Sequence, residues 1–138
     1  MNGGTFMRSI IISINQQHVD KILQGIKKFE YRTKVAKKDI DSLIIYCTFP
    51  TKKIVAKVKI KSIISGTPDE VWTKTSSFSG ISREFFDQYF NKRSTAFAYE
   101  LGEVQVFDEP LDLISFVITS APQSFVYYNV SWLTIQFF

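Results

Sequence analysis

The sequence predicts an α+β domain in which a small mixed or antiparallel β-barrel, or a sheet curled towards one, carries two or three short packed helices. Three observations lead there. Five or six β-rich runs are bounded by Gly, Pro, Asn or Ser, and two segments carry both helical spacing and helix-start residues. Strands and helices do not alternate in the regular βαβ order of a parallel sheet. A chain of 138 residues, 45% hydrophobic with 13 Phe, is large enough for one substantial core (residues 1–138 as a single domain) and too apolar to be disordered.

Taken in order, Arg8–Ile14 is a β-branched run that reads as a buried strand, with residues 1–7 as a flexible tail and Met7 as a second possible start. Asn15 is a good N-cap, Val19, Ile22 and Leu23 make one apolar stripe, and Gly25 is the residue that commonly ends a helix. Thr33–Asp41 is a polar loop. Ser42–Phe49 is a second apolar strand closed by Pro50, with Cys47 as a small buried side chain. Between Lys52 and Ile64, Ala56, Val58 and Ile60 alternate with Lys57, Lys59 and Lys61, so one face is buried and the other presents lysines. Such a lysine row also protects an exposed or edge strand from pairing.

Thr67-Pro68-Asp69-Glu70 has the cap, the N1 proline and the reciprocal glutamate of a helix start, and Thr73–Gly80 reads as a Ser/Thr-rich loop. Ser82 caps a further helix whose Phe85, Phe86, Tyr89 and Phe90 are read as core. Thr95–Leu101 and Val104–Phe107 read as two strands parted by Gly102, followed by an irregular stretch at Pro110–Leu113 with room for one helical turn. Ala121–Phe125 is a proline-led loop leading to Val126-Tyr127-Tyr128, and residues 129–138 read as an extra C-terminal strand.

Composition narrows the function classes. No apolar run approaches the roughly 18–20 residues that span a bilayer, and the N-terminus lacks the basic and apolar regions of a secretory signal. No membrane role is expected, and a cytoplasmic location is the default expectation. Cys47 is the only cysteine, which rules out an intrachain disulfide and a cysteine zinc site. No cofactor or metal is expected. His18 is the only histidine, and among helix-forming polar residues it reads as a surface side chain. Residues 21–61 hold 12 Lys and Arg against three acids, whereas residues 94–138 hold neither Lys nor Arg. That asymmetry fits a polyanionic partner through phosphate contacts, and equally a solubilising surface.

The chemistry concentrates at Gly25-Ile26-Lys27-Lys28-Phe29-Glu30-Tyr31-Arg32. In a strand, Lys28, Glu30 and Arg32 share the face opposite Phe29 and Tyr31. By charge pattern alone, a solvated face is the more common account of such a row. Lys27 and Arg32 can neutralise a phosphate or polarise a carbonyl, and Glu30 can accept from an exocyclic amine or hold one of the cations. Tyr31 and Tyr46 could stack on a base, but read first as core.

Ser13-Ile14, the helix that follows and Gly25-x-Lys27-x-x-Glu30-x-Arg32 resemble the signature of the ASCH domain, a family of the PUA-like superfamily. So do Ile63–Pro68, the Gly80-Ile81-Ser82 helix start with Phe85 and Tyr89, and Pro122-Gln123-Ser124-Phe125. The likeness covers about residues 9–127. It implies a PUA-like barrel, here standing alone, with a basic cleft lined by Lys27, Lys28, Glu30 and Arg32 and an opposite wall of Gln123 and Ser124. It also implies an RNA or nucleotide-like ligand.

Some relatives are amidohydrolases of N4-acetylcytidine and others ribonucleases. The amidohydrolase pattern pairs the motif lysine with a threonine three residues on and a later glutamate. Here Lys27 fits, the threonine position is Glu30, and Ser76–Gly80 holds no acid. Other chemistry would use Glu30 as general base, or Ser124 with Lys27. Three functions stay open: a binding module for RNA or nucleotides, a hydrolase of modified nucleosides or RNA, and a protein-interaction domain. A cleft absent or filled by side chains would favour the last.

Overall fold

The computed structural model describes residues 6–37 and 39–131. Residues 132–138 of the expected C-terminal run lie outside that range. Six strands form one mixed sheet: β1 (Phe6–Ile14), β2 (Phe29–Arg32), β3 (Ser42–Cys47), β4 (Lys53–Gly66), β5 (Ala96–Leu111) and β6 (Phe125–Ser131). Their spatial order is β2-β5-β4-β3-β1-β6, curled into a half-barrel. Only β1 and β3 run parallel among neighbouring pairs, and their buried Ser9 and Ser42 hydroxyls bond at 2.9 Å across that pair. Three helices pack on the sheet: α1 (Gln16–Leu23), α2 (Pro68–Thr75) and α3 (Arg83–Tyr89).

Both faces of the sheet are covered, which is why β1 and β3 are continuous apolar runs instead of alternating ones. Ile10, Ile12 and Ile14 of β1 pack with Leu43, Ile45, Val58, Tyr99 and the Val19/Ile22 stripe of α1. Ile11 faces the other way, with Ile44, Tyr46, Ile54 and Phe116 from the 3-10 turn Leu113–Phe116. A third cluster joins Phe29 and Tyr31 of β2 to Val71, Phe86 and Phe90 of α2 and α3.

The starts of α2 and α3 follow their capping chemistry, whereas Asn15 stands at the N-cap of α1 without a side-chain cap bond, its Oδ1 accepting from Thr48 Oγ1 at 3.3 Å instead. Thr67 and Glu70 form both bonds of the capping box, at 2.9 and 3.2 Å, and Ser82 accepts from Phe85 N at 3.0 Å. Gly25 sits at φ +80°, the left-handed geometry that stops α1.

Four sequence expectations change. β1 starts at Phe6, so Phe6 and Met7 belong to the sheet. α2 continues to Thr75 and runs into a 3-10 turn, Ser76–Phe78, so the presumed Ser/Thr loop is helical from Thr73 to Phe78 and only Ser79 and Gly80 stay outside a helix. The two strands expected on either side of Gly102 are one 16-residue strand, β5, whose pairing with β4 absorbs several register shifts. Finally, β4 lies between β5 and β3, so its lysines guard no sheet edge.

Candidate functional site

β2 ends one side of the sheet and β6 the other, and the curl brings β2 towards β1. Arg32 spans the gap: its guanidinium donates to Ser13 O at 2.6 Å and weakly to Ser124 Oγ at 3.4 Å. The pocket lies in this seam, with a volume of about 250 Å³. Lys27, Glu30, Tyr31 and Arg32 form its floor. Ser13, Asn15 and His18 stand on the β1–α1 side and Gln123 beside them, with Ile81, Phe85 and Tyr89 across from them.

Lys27 is 2% exposed. It precedes β2, so strand alternation does not govern it, and its ammonium enters the pocket side to donate to Ser79 O at 2.7 Å, 4.8 Å from the Tyr31 ring centre. Burial brings its pKa down to about 8; Glu30 opposes that shift, while Lys21 and Arg32 add to it. Gly80 makes the approach possible, because a Cβ there would lie 2.6 Å from Lys27 Cβ. Lys21 donates to Gly80 O at 2.8 Å, so consecutive carbonyls of one loop hold two ammonium groups.

Glu30 is 5% exposed, and its Oε2 accepts from both Nε (3.1 Å) and a terminal nitrogen (3.0 Å) of Arg32. Its Oε1 forms no hydrogen bond among the described residues. Arg32 thus donates to both Glu30 and Ser13 and holds the carboxylate in place. Beneath them the Thr75 hydroxyl gives its only proton to Val71 O at 2.7 Å, so Tyr31 must be the donor in its 2.7 Å bond to Thr75. Burial pushes the Tyr31 phenol up to about 12.

The structure gathers Lys27, Glu30, Arg32 and Gln123 around one cavity. Ser124 stands behind Arg32, on a loop pinned to β1 by Ser13 Oγ donating to Pro122 O (2.7 Å) and Ser13 N to Ser124 O (3.0 Å). Ser124 meets Arg32 and not Lys27, whose ammonium is held by Ser79, so no Ser124–Lys27 pair forms. Lys28 is turned out of the pocket, over the Phe78 ring at 4.6 Å. The pleat starts only at Phe29, so the row expected to hold Lys28, Glu30 and Arg32 keeps Glu30 and Arg32 and loses Lys28.

Three side chains that the sequence placed outside the site, His18 as a surface residue and Phe85 and Tyr89 as core, line the pocket. His18 is only partly exposed: its Nδ1 is buried with no hydrogen-bond partner, its ring meets Phe85 edge-on at 5.4 Å, and burial lowers its pKa below the usual value. The aromatic stripe of α3 divides. Phe86 and Phe90 are core, whereas Phe85 and Tyr89 are 38% and 40% exposed at the pocket. The two pairs are i, i+4 rows about 100° apart around the helix, and that width was the available signal that the helix serves two surroundings. Tyr46 is buried away from the site. Among the described residues, no cluster of three or more His, Cys, Asp or Glu could hold a metal ion, and no helix is long and apolar enough to cross a membrane.

Comparison with known proteins agrees with this architecture. The chain is 27% identical over 121 residues to the ATP synthase subunit alpha of Ureaplasma parvum serovar 3, covering 87% of this chain but only 15% of that protein. It is 23% identical over 99 residues to an ASCH domain-containing ribonuclease of Zymomonas mobilis, covering 71% of this chain and 67% of that one. The crystal structure of ASCH from Zymomonas mobilis superposes with a TM-score of 0.80 at 21% identity, over 93% of this chain and 91% of that one, which establishes the fold. The ASCH domain family model matches residues 12–109, most of the chain, and the protein therefore belongs to the ASCH domain family.

Proposed function

We propose that the protein binds RNA or a nucleotide-like ligand, with a single base inserted in the seam pocket. The observation that carries this is that the buried Lys27, its ammonium on Ser79 O, and Glu30, with its Oε1 unengaged among the described residues, line one cavity together with the half-exposed rings of Phe85 and Tyr89. A nucleobase edge presents a carbonyl and an N–H to such a donor and acceptor, and its face stacks on aromatic side chains. At about 250 Å³ the pocket is below the roughly 300–1,000 Å³ of drug-sized sites, a scale suited to one base. Arg32 fixes the carboxylate, and Gln123 adds an amide at the rim. The ribonuclease name of the Zymomonas mobilis relative supports an RNA-related ligand.

Fluorescence anisotropy with single-stranded RNA, and calorimetry with nucleosides and nucleotides, test the reading. Lys27→Ala and Arg32→Ala should each lose most of the affinity, and unchanged binding in both variants would refute it.

A second reading is hydrolysis of RNA or of a modified nucleoside. The pKa of about 8 favours it, since roughly a tenth of Lys27 is then neutral at pH 7 and able to take a proton. Against an amidohydrolase of the threonine type, the nucleophile position is Glu30, and the Lys27 ammonium meets a neutral carbonyl of Ser79 instead of an acid. Incubation with an RNA and nucleoside panel, read by mass spectrometry with Glu30→Gln as control, decides the matter: absence of turnover rejects hydrolysis.

A further inference from the structure

On the other side of the β2 start lies a larger open groove of about 680 Å³, floored by the β4–β5 pair around Ile60, Leu101 and Gly102. Lys27 belongs to the lining of both cavities. Its neighbour Lys28 belongs to the groove alone, so of these consecutive lysines only Lys27 also reaches the pocket. The segment 78–79 separates the cavities. Ser79 O takes the Lys27 ammonium on the pocket side, and the Phe78 ring faces the groove, with Phe78 O accepting from Lys28 N at 2.8 Å.

The groove is cationic. Exposed Lys28, Lys59 and Lys61 line it against Glu100 and Glu103, and Glu100 divides its carboxylate between Ser62 Oγ at 2.8 Å and a long 3.9 Å contact to Lys61. Edge protection does not explain the β4 lysines, because β4 is an interior strand. Phe78 is 48% exposed, with the Lys28 ammonium 4.6 Å above its ring centre. A line of lysines beside an exposed ring is the combination that single-stranded nucleic acid uses: the cations follow the phosphates, and the ring accepts a base of any identity.

We propose that this groove carries the phosphodiester backbone of an RNA strand whose neighbouring base occupies the seam pocket, with Phe78 as a stacking platform for a flanking base. The inference rests on the pocket reading for where that neighbouring base lies. It makes affinity rise with strand length, the groove supplying strength without sequence preference while the pocket selects.

The test uses the full chain, a fluorescein-labelled uridine decamer, and the four ribonucleoside 5′-monophosphates. The triple variant Lys28→Gln/Lys59→Gln/Lys61→Gln should weaken decamer binding at least about tenfold at low salt. It should also flatten the dependence of log affinity on log salt by about 2, at roughly 0.7 per phosphate contact on single strands. Monophosphate binding should stay within about twofold of wild type, and the thermal midpoint unchanged. Phe78→Ala should lose about tenfold for the decamer at an unaltered salt slope. A triple variant with wild-type decamer affinity and slope overturns the groove while leaving the pocket standing. A charge-dependent loss for the decamer, with no monophosphate binding to wild type, instead overturns the pocket and supports the groove as a bare backbone track. Equal competition by polyglutamate of matched charge overturns the RNA assignment of the groove, marking a surface for acidic polypeptides.

Discussion

Replacing Gly80 by alanine tests whether Lys27 is placed by the missing side chain of its neighbour. Gly80 has φ +69°, and a Cβ there would lie 2.6 Å from Lys27 Cβ and 2.8 Å from its Cγ. Lys27 has little room to withdraw, since its ammonium is held by Ser79 O and its stem lies beside Tyr31. The left-handed backbone alone destabilises an alanine by roughly 1 kcal/mol, and forcing a methyl into a packed site adds roughly 1–3 kcal/mol. Gly80→Ala should therefore lose about 2–4 kcal/mol in total. Gly25→Ala is a matched control, because Gly25 has φ +80° but no atom within 4 Å of a built Cβ, leaving the roughly 1 kcal/mol of backbone strain alone. Urea denaturation of both variants, with the slope checked for constancy, gives the difference. A Gly80→Ala loss no larger than that of Gly25→Ala would refute the reasoning. Wild-type nucleotide affinity in Gly80→Ala would show that the site does not depend on this packing.

Three further outcomes can be checked directly. Lys27 titrates near 8 when folded and at 10.5 ordinarily, so between those values the unfolded chain holds more protons there. Stability should thus rise with pH through that window, by at most about 3 kcal/mol. Comparing wild type with Lys27→Met by urea denaturation at pH 7 and 10 isolates the effect, and a constant difference would contradict it. His18 is the sole histidine, so one NMR resonance reports it; burial predicts a midpoint below 6.5, with stability falling as pH drops through that region, and a midpoint at or above 6.5 would disprove the burial. Glu30→Ala strands Arg32, whose side chain is 13% exposed, and should destabilise by about 3 kcal/mol, the lower end for a broken buried pair because Ser13 O still accepts from the guanidinium; a loss under about 0.5 kcal/mol in urea denaturation would show that the clamp contributes nothing to folding.

Local signals in the chain were legible because local physics decides them. Thr67 and Glu70 satisfy each other's backbone across one turn, and Gly25 has the left-handed freedom that ends α1. Ala56 and Val58 alternate with lysines because the two faces of β4 meet different surroundings. Where two signals competed, the reading failed: Gly102 resembles a turn, yet pairing with β4 carries the strand through it, since a sheet neighbour supplies hydrogen bonds that a local turn signal does not record. The same limit applied to His18, Phe85 and Tyr89. Helical spacing shows which side chains share a face but not whether that face meets a core or a cavity.

By itself, the sequence determined the α+β class, most element positions, the caps and the grouping of Lys27, Glu30 and Arg32 in one short segment. Those are properties of neighbouring residues, set by backbone sterics, hydrogen-bond satisfaction and alternation. Only the tertiary structure decided that Lys27 reaches the pocket while Lys28 does not, that Arg32 is engaged in holding Glu30, and that His18, Phe85 and Tyr89 complete the pocket. Each of these depends on chain brought together from β1, α1, β2, α3 and the 79–80 loop by the curl of the sheet. Burial then converts an ordinary lysine into one with a lowered pKa, because the charged form loses its water.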